Sequence, residues 1–213
     1  MNPIKYNDFN AASLMVGDLN KTKNGQNVFV KYLGSGSPKV IIQTPVMSAP
    51  FGVSSYPAEN NNRYSLDLSF NNYENDHNIG DIKNVIDSID SAMIEFGIQY
   101  SVPWFGKSIP RDVMSELYRP ILKHSKDGKY APTFKMKIRN DYNTGKPMVE
   151  CFDHNNYKIN FDKIQKGDKV KAIFELSPIW FMNKQFGVSM NVTQIMIVES
   201  KPKMTASSFM EED

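Results

Sequence analysis

The chain has 213 residues, 40% of them hydrophobic and 23% charged, with a formal net charge of +2. This length suits one sizeable domain, and no apolar run approaches the roughly 20 residues of a membrane-spanning helix. The N-terminus has no charged segment followed by an apolar stretch, as a secretory leader would. We therefore expect an intracellular protein, in a host cytoplasm or nucleus, that is neither secreted nor membrane-bound.

The first third of the chain predicts short strands. Residues 1–27 are polar and rich in asparagine, so we expect weak order there. Strand-like segments follow at residues 28–33 and 39–44, separated by glycine, serine and proline as in a loop or hairpin. Residues 64–70 alternate, with Tyr64, Leu66, Leu68 and Phe70 on one face, which predicts a half-buried strand.

The spacing of the apolar residues then changes from every second residue, as in a strand, to that of a helix. Apolar residues with helical spacing run from Ile79 to Phe96, and a second helical pattern runs from Val113 to Ile121. Residues 102–107, which include Trp104 and Phe105, are expected to form a packed loop between the two helices. The sequence thus predicts a helical insertion at about residues 79–124 within a set of strands.

Strands resume with a basic character. Residues 133–140 place Lys135, Lys137 and Arg139 on one side of a strand. Two closing strands, residues 169–176 and 186–198, are predicted as a hairpin whose first strand carries Lys169 and Lys171 outward. The aromatic turn between them presents Trp180 and Phe181 beside Lys184 at its tip.

The charge is distributed unevenly. Residues 123–184 hold 13 Lys or Arg and 7 Asp or Glu, a net of +6, whereas the rest of the chain holds 12 and 16, a net of −4. Cations about 7 Å apart along one strand face, together with exposed aromatic rings, suit the phosphates and bases of a single-stranded nucleic acid. The alternative for each basic strand is a solvated sheet face.

Catalytic motifs are absent from the sequence. There is no phosphate-binding glycine loop, no dinucleotide fingerprint and no nucleophile elbow, so we expect no enzymatic activity and no cofactor. Cys151 and His154 have the spacing of half a metal site, but there is no second cysteine. We therefore expect no metal site, and an internal disulfide is excluded.

The closing strands resemble those of a known family. Residues 167–180 (GDKVKAIFELSPIW) and 186–199 (FGVSMNVTQIMIVE) are similar to the single-stranded DNA-binding proteins of T-odd podophages. Residues 43–52, 116–120 and 130–137 look closest to the relatives of that family in large nucleo-cytoplasmic DNA viruses. The resemblance covers most of residues 28–200.

The resemblance implies a fold and a function. The fold would be mainly β, an OB-fold barrel with an inserted helix, over residues 28–200. The function would be binding of single-stranded DNA in replication, recombination and repair. It also implies DNA contact by Lys135 and Lys137 and base stacking by Trp180.

Residues 201–213 form a short acidic tail in the sequence. The resemblance implies that such a tail contacts a replicative DNA polymerase or a helicase–primase and competes with DNA. Its candidate residues are Phe209, Glu211, Glu212 and Asp213. An RNA-binding or nucleoprotein role on the same groove, a structural or virion protein, and a homodimer are left open.

Overall fold

The computed structural model describes residues 2–23, 25–33, 39–58 and 62–200. The helices are α1 (His77–Gln99), α2 (Ser101–Phe105) and α3 (Arg111–Leu117). Short 3₁₀ turns lie at Tyr6–Asp8, Ala11–Ser13 and Phe161–Lys163. The strands are β1 (Ile4–Lys5), β2 (Leu14–Thr22), β3 (Gly25–Tyr32), β4 (Ile41–Gln43), β5 (Met47–Ser48), β6 (Val53–Tyr56), β7 (Arg63–Ser69), β8 (Leu122–Lys123), β9 (Thr133–Ile138), β10 (Glu150–Phe152), β11 (Lys158–Ile159), β12 (Lys169–Leu176), β13 (Ile179–Met182), β14 (Gln185–Gly187) and β15 (Met190–Glu199).

Five strands close a barrel in the order β5, β7, β9, β15, β12 and back to β5. The β9–β15 pair is parallel and the other four pairs are antiparallel. Numbered along the chain, the barrel strands therefore follow the order 1-2-3-5-4. This is the OB-fold barrel, and the expected fold class is confirmed.

Apolar side chains at alternate positions of the strands fill the barrel. Leu66, Leu68 and Phe70 at one strand, and Phe134 and Met136 at the next, are completely buried. Their polar neighbours consequently point out of the barrel, since side chains alternate along a strand, although Ser65 and Asp67 are themselves buried there. The outer surface of β7 and β9 is thus set by the same alternation that forms the core.

The first barrel strand is interrupted at residues 44–46, which divides it into β4 and β5. Both halves pair with β12. The Thr44 backbone N–H donates to the Ala172 carbonyl at 2.9 Å, and the Thr44 hydroxyl accepts from the Ala172 N–H at 3.0 Å. A side-chain oxygen therefore continues the ladder across the break, which keeps the barrel closed.

The helices are inserted between the second and third barrel strands. Asp76 caps α1, its carboxylate accepting from the N–H groups of Asn78 and Ile79. The helix buries an apolar stripe made of Ile79, Ile82, Val85, Ile86, Ile89 and Met93. No helix in the described ranges combines the length and apolar character needed to cross a membrane.

The expected packed loop at residues 102–107 is corrected to the short helix α2. Pro103 lies within the first turn of this helix, where its missing N–H has no helical partner.

A second sheet lies beside the barrel, in the order β14, β13, β3, β2. The expectation of weak order across residues 1–27 is wrong for its second half, because Leu14–Thr22 pairs with β3 through a bulge at Gly17 and Asp18. Leu14 is buried, and Val16 and Leu19 pack against the core. This apolar side was hidden in the sequence by the bulge, which breaks the alternation.

The closing strands β12 and β15 pair as predicted, from Lys169 opposite Glu199 to Leu176 opposite Met190. The connection between them, however, is a second hairpin rather than a turn. Strands β13 and β14 pair through Phe181 opposite Phe186, and the tip is Asn183 and Lys184, both with positive φ. Trp180 and Phe181 therefore lie within a strand, and of the predicted tip residues Lys184 alone is at the tip.

Candidate nucleic-acid interface

The outer face of β6, β7 and β9 forms one polar surface, here called the β7–β9 face. Cross-strand register places Lys135 opposite Asp67 and Lys137 opposite Ser65. On the other side of β7, Tyr56 pairs with Arg63. In an OB-fold, the second and third barrel strands and the loops beside them form the usual ligand surface.

Lys135 is held in place on this face. Its ammonium donates to the Tyr56 hydroxyl at 3.0 Å and lies 4.7 Å from the centre of that ring. It is also 3.8 Å from a carboxylate oxygen of Asp67. Burial raises the pKa of Asp67, while Lys135 and Lys123 act in the opposite direction. The hydrogen bond from Lys135 lowers the pKa of Tyr56.

Lys137 lies among other cations. Its ammonium donates to the Ser189 hydroxyl at 3.1 Å. Partial burial of the ammonium, followed by repulsion from Arg63 and Lys123, lowers the pKa of Lys137. Within the described ranges, none of these three cations forms a salt bridge. An anionic ligand, such as a phosphate group, would relieve this repulsion.

Arg139 follows Lys137 on the same strand face, but its charge is compensated. Its guanidinium lies 3.1 Å from Glu175, and Glu175 also pairs with Lys39 at 3.2 Å. Glu175 is an outward residue of β12. Arg139 consequently connects β9 to β12 across the end of the barrel, and it offers less free positive charge than Lys137.

The β13–β14 hairpin separates its two adjacent aromatic residues. Phe181 pairs with Phe186 on the face turned to the helices, where its ring contacts Trp104 and Phe105 edge-on. Trp180 points to the opposite face. Phe181 thus packs against the core, and Trp180 on the other face is likewise only partly buried.

Trp180 rests on a glycine. A Cβ atom added to Gly187 would lie 2.7 Å from Cζ2 of Trp180 and 3.2 Å from the Arg119 carbonyl. Arg119 donates from its Nε to Gln185 at 2.8 Å and from its backbone N–H to Phe186 at 2.9 Å. Four residues later the chain reaches Lys123 of the β7–β9 face. Trp180 and the cations are therefore joined by one short segment.

A protein-family model matches residues 70–212 of this chain and describes a family of unknown function, DUF5871. The chain belongs to the DUF5871 family. It is also 28% identical over 160 residues to the uncharacterized protein L291 of Acanthamoeba polyphaga mimivirus, across 74% of this chain and 26% of that protein. The chain thus spans about a quarter of the length of this curated relative.

Solved structures resemble this DUF5871 protein in fold. The single-stranded DNA-binding protein gp2.5 of bacteriophage T7 superposes with a TM-score of 0.51 at 16% identity, over 82% of this chain and 97% of gp2.5. The single-stranded DNA-binding protein of bacteriophage Enc34 gives a TM-score of 0.47 at 13% identity, over 92% and 96%. Its complex with single-stranded DNA gives 0.47 at 12% identity, over 89% and 98%. The resemblance stated from the closing strands is confirmed for the fold.

The DUF5871 barrel does not bring all the predicted basic residues together. Lys169 and Lys171 lie on β12, which is separated from β7 by β5 and from β9 by β15. They occupy a different wall from Lys135 and Lys137. Lys184, at the hairpin tip, lies beside Lys107 at a groove next to α3. The tail residues Phe209, Glu211, Glu212 and Asp213 lie outside the described residues.

Three residues of the candidate interface were missed by sequence reasoning: Tyr56, Arg63 and Lys123. The signal for Arg63 was available, because it precedes the alternating residues 64–70 and has the outward parity of Asp67. Tyr56 and Lys123 stand in segments without a clear period. Only cross-strand pairing with β7 and β9 brings them to this surface.

Proposed function

We propose that this protein binds single-stranded DNA without sequence specificity. The observation that carries the proposal is the group of Arg63, Lys123 and Lys137 beside Lys135, on the second and third strands of an OB-fold barrel. These cations would neutralise phosphates, and Trp180 and the exposed ring of Tyr56 would stack on bases. The structural neighbour gp2.5 of bacteriophage T7 is a single-stranded DNA-binding protein, which is consistent with this function.

The biological setting is part of the same proposal. Binding of single strands would serve DNA replication, recombination or repair at an intracellular site of viral replication, and it needs no catalytic group. The mimivirus relative supports a viral origin. An acidic segment at residues 201–213 would contact a replication partner such as a polymerase or helicase–primase.

The decisive experiment compares ligands of equal length. Fluorescence anisotropy with single-stranded DNA, duplex DNA and single-stranded RNA, each at several salt concentrations, measures affinity and its salt dependence. We expect tighter binding to single-stranded DNA than to duplex, with affinity falling as salt rises because counterions are released. Equal affinity for duplex, or an isotherm indifferent to salt, would overturn the proposal. Preference for RNA would reassign the same surface to RNA.

The tail has its own test. Removing residues 209–213 deletes three carboxylate side chains, which leaves 25 basic and 20 acidic residues and raises the formal charge from +2 to +5. We expect the shortened protein to bind single-stranded DNA more tightly at low salt, where screening is weak. Identical isotherms for the two proteins at low salt would exclude a competing tail.

A further inference from the structure

A second outward surface lies on the barrel wall that carries Lys169 and Lys171. It is formed by β4, β12, the second half of β15, and β10. Strand β15 meets β9 only at Met190 and Asn191, whereas it meets β10 from Gln194 to Met196. This surface, here called the β12 wall, is therefore distinct from the β7–β9 face.

The register of the strands shows which side chains share the β12 wall. The residues at the alternate positions of these strands are buried in the core, namely Ile42, Ala172, Ile195 and Cys151. Two cross-strand rows consequently face outward. The first row is Lys5, Gln43, Ile173, Gln194 and Glu150, and the second is Lys171, Met196, Phe152 and Lys158.

The centre of the β12 wall is apolar and forms a cleft. Ile173, Met196 and Phe152 are each half-buried and lie side by side on three neighbouring strands. The cleft has a volume of about 350 Å³, and its lining also includes Lys171, Gln43, Asn156 and Gln194. An apolar centre with an aromatic ring, bordered by residues that carry amide side chains, suits a planar, polar-edged ligand.

Several charged and amide side chains around the cleft are available to bind a ligand. In the part of the chain that the structure describes, Lys169 and Lys171 form no salt bridge, although Glu199 lies opposite Lys169 in the strand register. The side-chain amides of Gln43 and Asn156 have no hydrogen-bond partner among the described residues. Glu150 is the acidic group at the far rim, and it accepts from Lys158 at 2.9 Å and from Gln194 at 3.0 Å. The uncompensated charge at the cleft is therefore positive.

We infer that the β12 wall is a second contact site for single-stranded nucleic acid, separate from the β7–β9 face. One base lies on the strip of Ile173, Met196 and Phe152, much as bases stack on the open sheet of other nucleic-acid-binding domains. Lys171 and Lys169 neutralise adjacent phosphates. The amides of Gln43 and Asn156 hydrogen-bond the base edges, as amide side chains do.

Lysine is depleted at protein–protein interfaces, so its position at this cleft favours an anionic ligand over a protein. The inference rests on the proposed function, and it adds that one protein holds two separate segments of single strand. Two walls of one barrel cannot be covered by a very short strand. Binding stoichiometry therefore distinguishes one site from two.

The test uses an oligonucleotide of about six nucleotides, near the low end of site sizes for OB-folds. Isothermal titration calorimetry and native mass spectrometry count the bound molecules on the full chain. The variant Lys169→Ala/Lys171→Ala removes charge from the β12 wall, and Lys135→Ala/Lys137→Ala removes it from the β7–β9 face. Lys107→Ala/Lys163→Ala is the matched control, with the same loss of charge from exposed positions elsewhere.

We expect two oligonucleotides per wild-type or control protein and one per protein in each of the other variants. A single site in wild type that survives Lys169→Ala/Lys171→Ala would overturn the inference and leave the proposed function standing. No binding by wild type would overturn the proposed function itself. Thermal unfolding of each variant verifies folding, and Gln43→Ala, which leaves every charge in place, should weaken the second site alone.

Discussion

At the residue scale, the basic side chains of the β7–β9 face differ in what their neighbours leave available. Lys135 is engaged by Asp67 and Tyr56, whereas Lys137 is surrounded by Arg63 and Lys123. Arg139 is paired with Glu175. The three residues look equivalent in sequence, where they alternate along one strand, but Lys137 has the most to gain from an anion.

Replacing Lys137 by Ala should weaken binding of single-stranded DNA and reduce the slope of log affinity against log salt by about 0.7. The loss should be similar for all base compositions, since a phosphate contact carries no sequence information. Stability should not fall, because the substitution removes repulsion. Anisotropy titrations at several salt concentrations measure the slope, with Lys107→Ala as control. An unchanged slope in a folded variant would show that Lys137 meets no phosphate.

Trp180→Ala should weaken binding by roughly 1–3 kcal/mol if the ring stacks on a base. Titration with oligo-dT should also quench tryptophan fluorescence. Trp104 is buried in the aromatic cluster, so the variant Trp104→Phe isolates the signal of Trp180. Unaltered fluorescence in that variant on saturation with DNA would assign Trp180 to packing alone.

At the element scale, the connection from α3 to β8 is fixed by one carboxylate of α1. Asp90 accepts from the Tyr118 hydroxyl at 2.6 Å and from the Ile121 N–H at 3.1 Å. Burial raises the pKa of Asp90 to about 6, against the hydrogen bonds from Tyr118, Ile121 and Leu122, and Asp87 adds to the rise. The same connection leads to Lys123, so Asp90 helps to position one cation of the candidate interface.

The folded protein should become less stable, through Asp90, as pH rises from about 4 to about 6. The folded state holds the Asp90 proton more tightly than the unfolded chain does, in which the pKa of this carboxyl is near 3.8. The stabilising contribution of Asp90 is therefore complete below pH 3.8 and lost above pH 6. A shift of about two units corresponds to roughly 3 kcal/mol. Urea unfolding of wild type and Asp90→Asn across this range measures the difference. If the free energy of unfolding changed with pH in the same way in both proteins, the raised pKa of Asp90 would be contradicted. Asp81→Asn, on the exposed side of α1, is the control.

The elements that sequence reasoning recovered are those with an unbroken period. Residues 64–70, 133–140 and Lys169–Leu176 alternate cleanly, and α1 keeps its helical stripe for its full length. The β13–β14 hairpin was missed because its tip is Asn183 and Lys184 rather than the Asn-Gly pair that marks such turns. Strand β2 was missed because Gly17 and Asp18 form a bulge within it.

At the scale of the whole molecule, the order of the barrel strands determines which of the predicted site residues lie together. The alternation in β12 showed that Lys169 and Lys171 face outward, but the wall they occupy depends on pairing with β4, β5 and β15. Such pairing joins residues far apart in the chain and leaves no local pattern. The residue types of the candidate site could therefore be predicted from local patterns, whereas their arrangement could not.

The buried residues of the barrel, the helices and the second sheet form one hydrophobic cluster. We therefore expect a single cooperative unfolding transition. Far-UV circular dichroism reports the strands and helices, while tryptophan fluorescence reports Trp104 and Trp180 beside the second sheet. Coincident midpoints are expected on heating and in urea. An earlier fluorescence transition would show that the second sheet and α2 unfold independently of the barrel.

The β13–β14 hairpin is two strands of a sheet whose other half, β2 and β3, comes from the beginning of the chain. A free loop would lose conformational entropy when it closes on a ligand, and that loss would weaken binding. Here the ordering has already taken place during folding. The N-terminal hairpin thus fixes the backbone position of Trp180 by direct cross-strand pairing at Asn27, without itself belonging to the barrel.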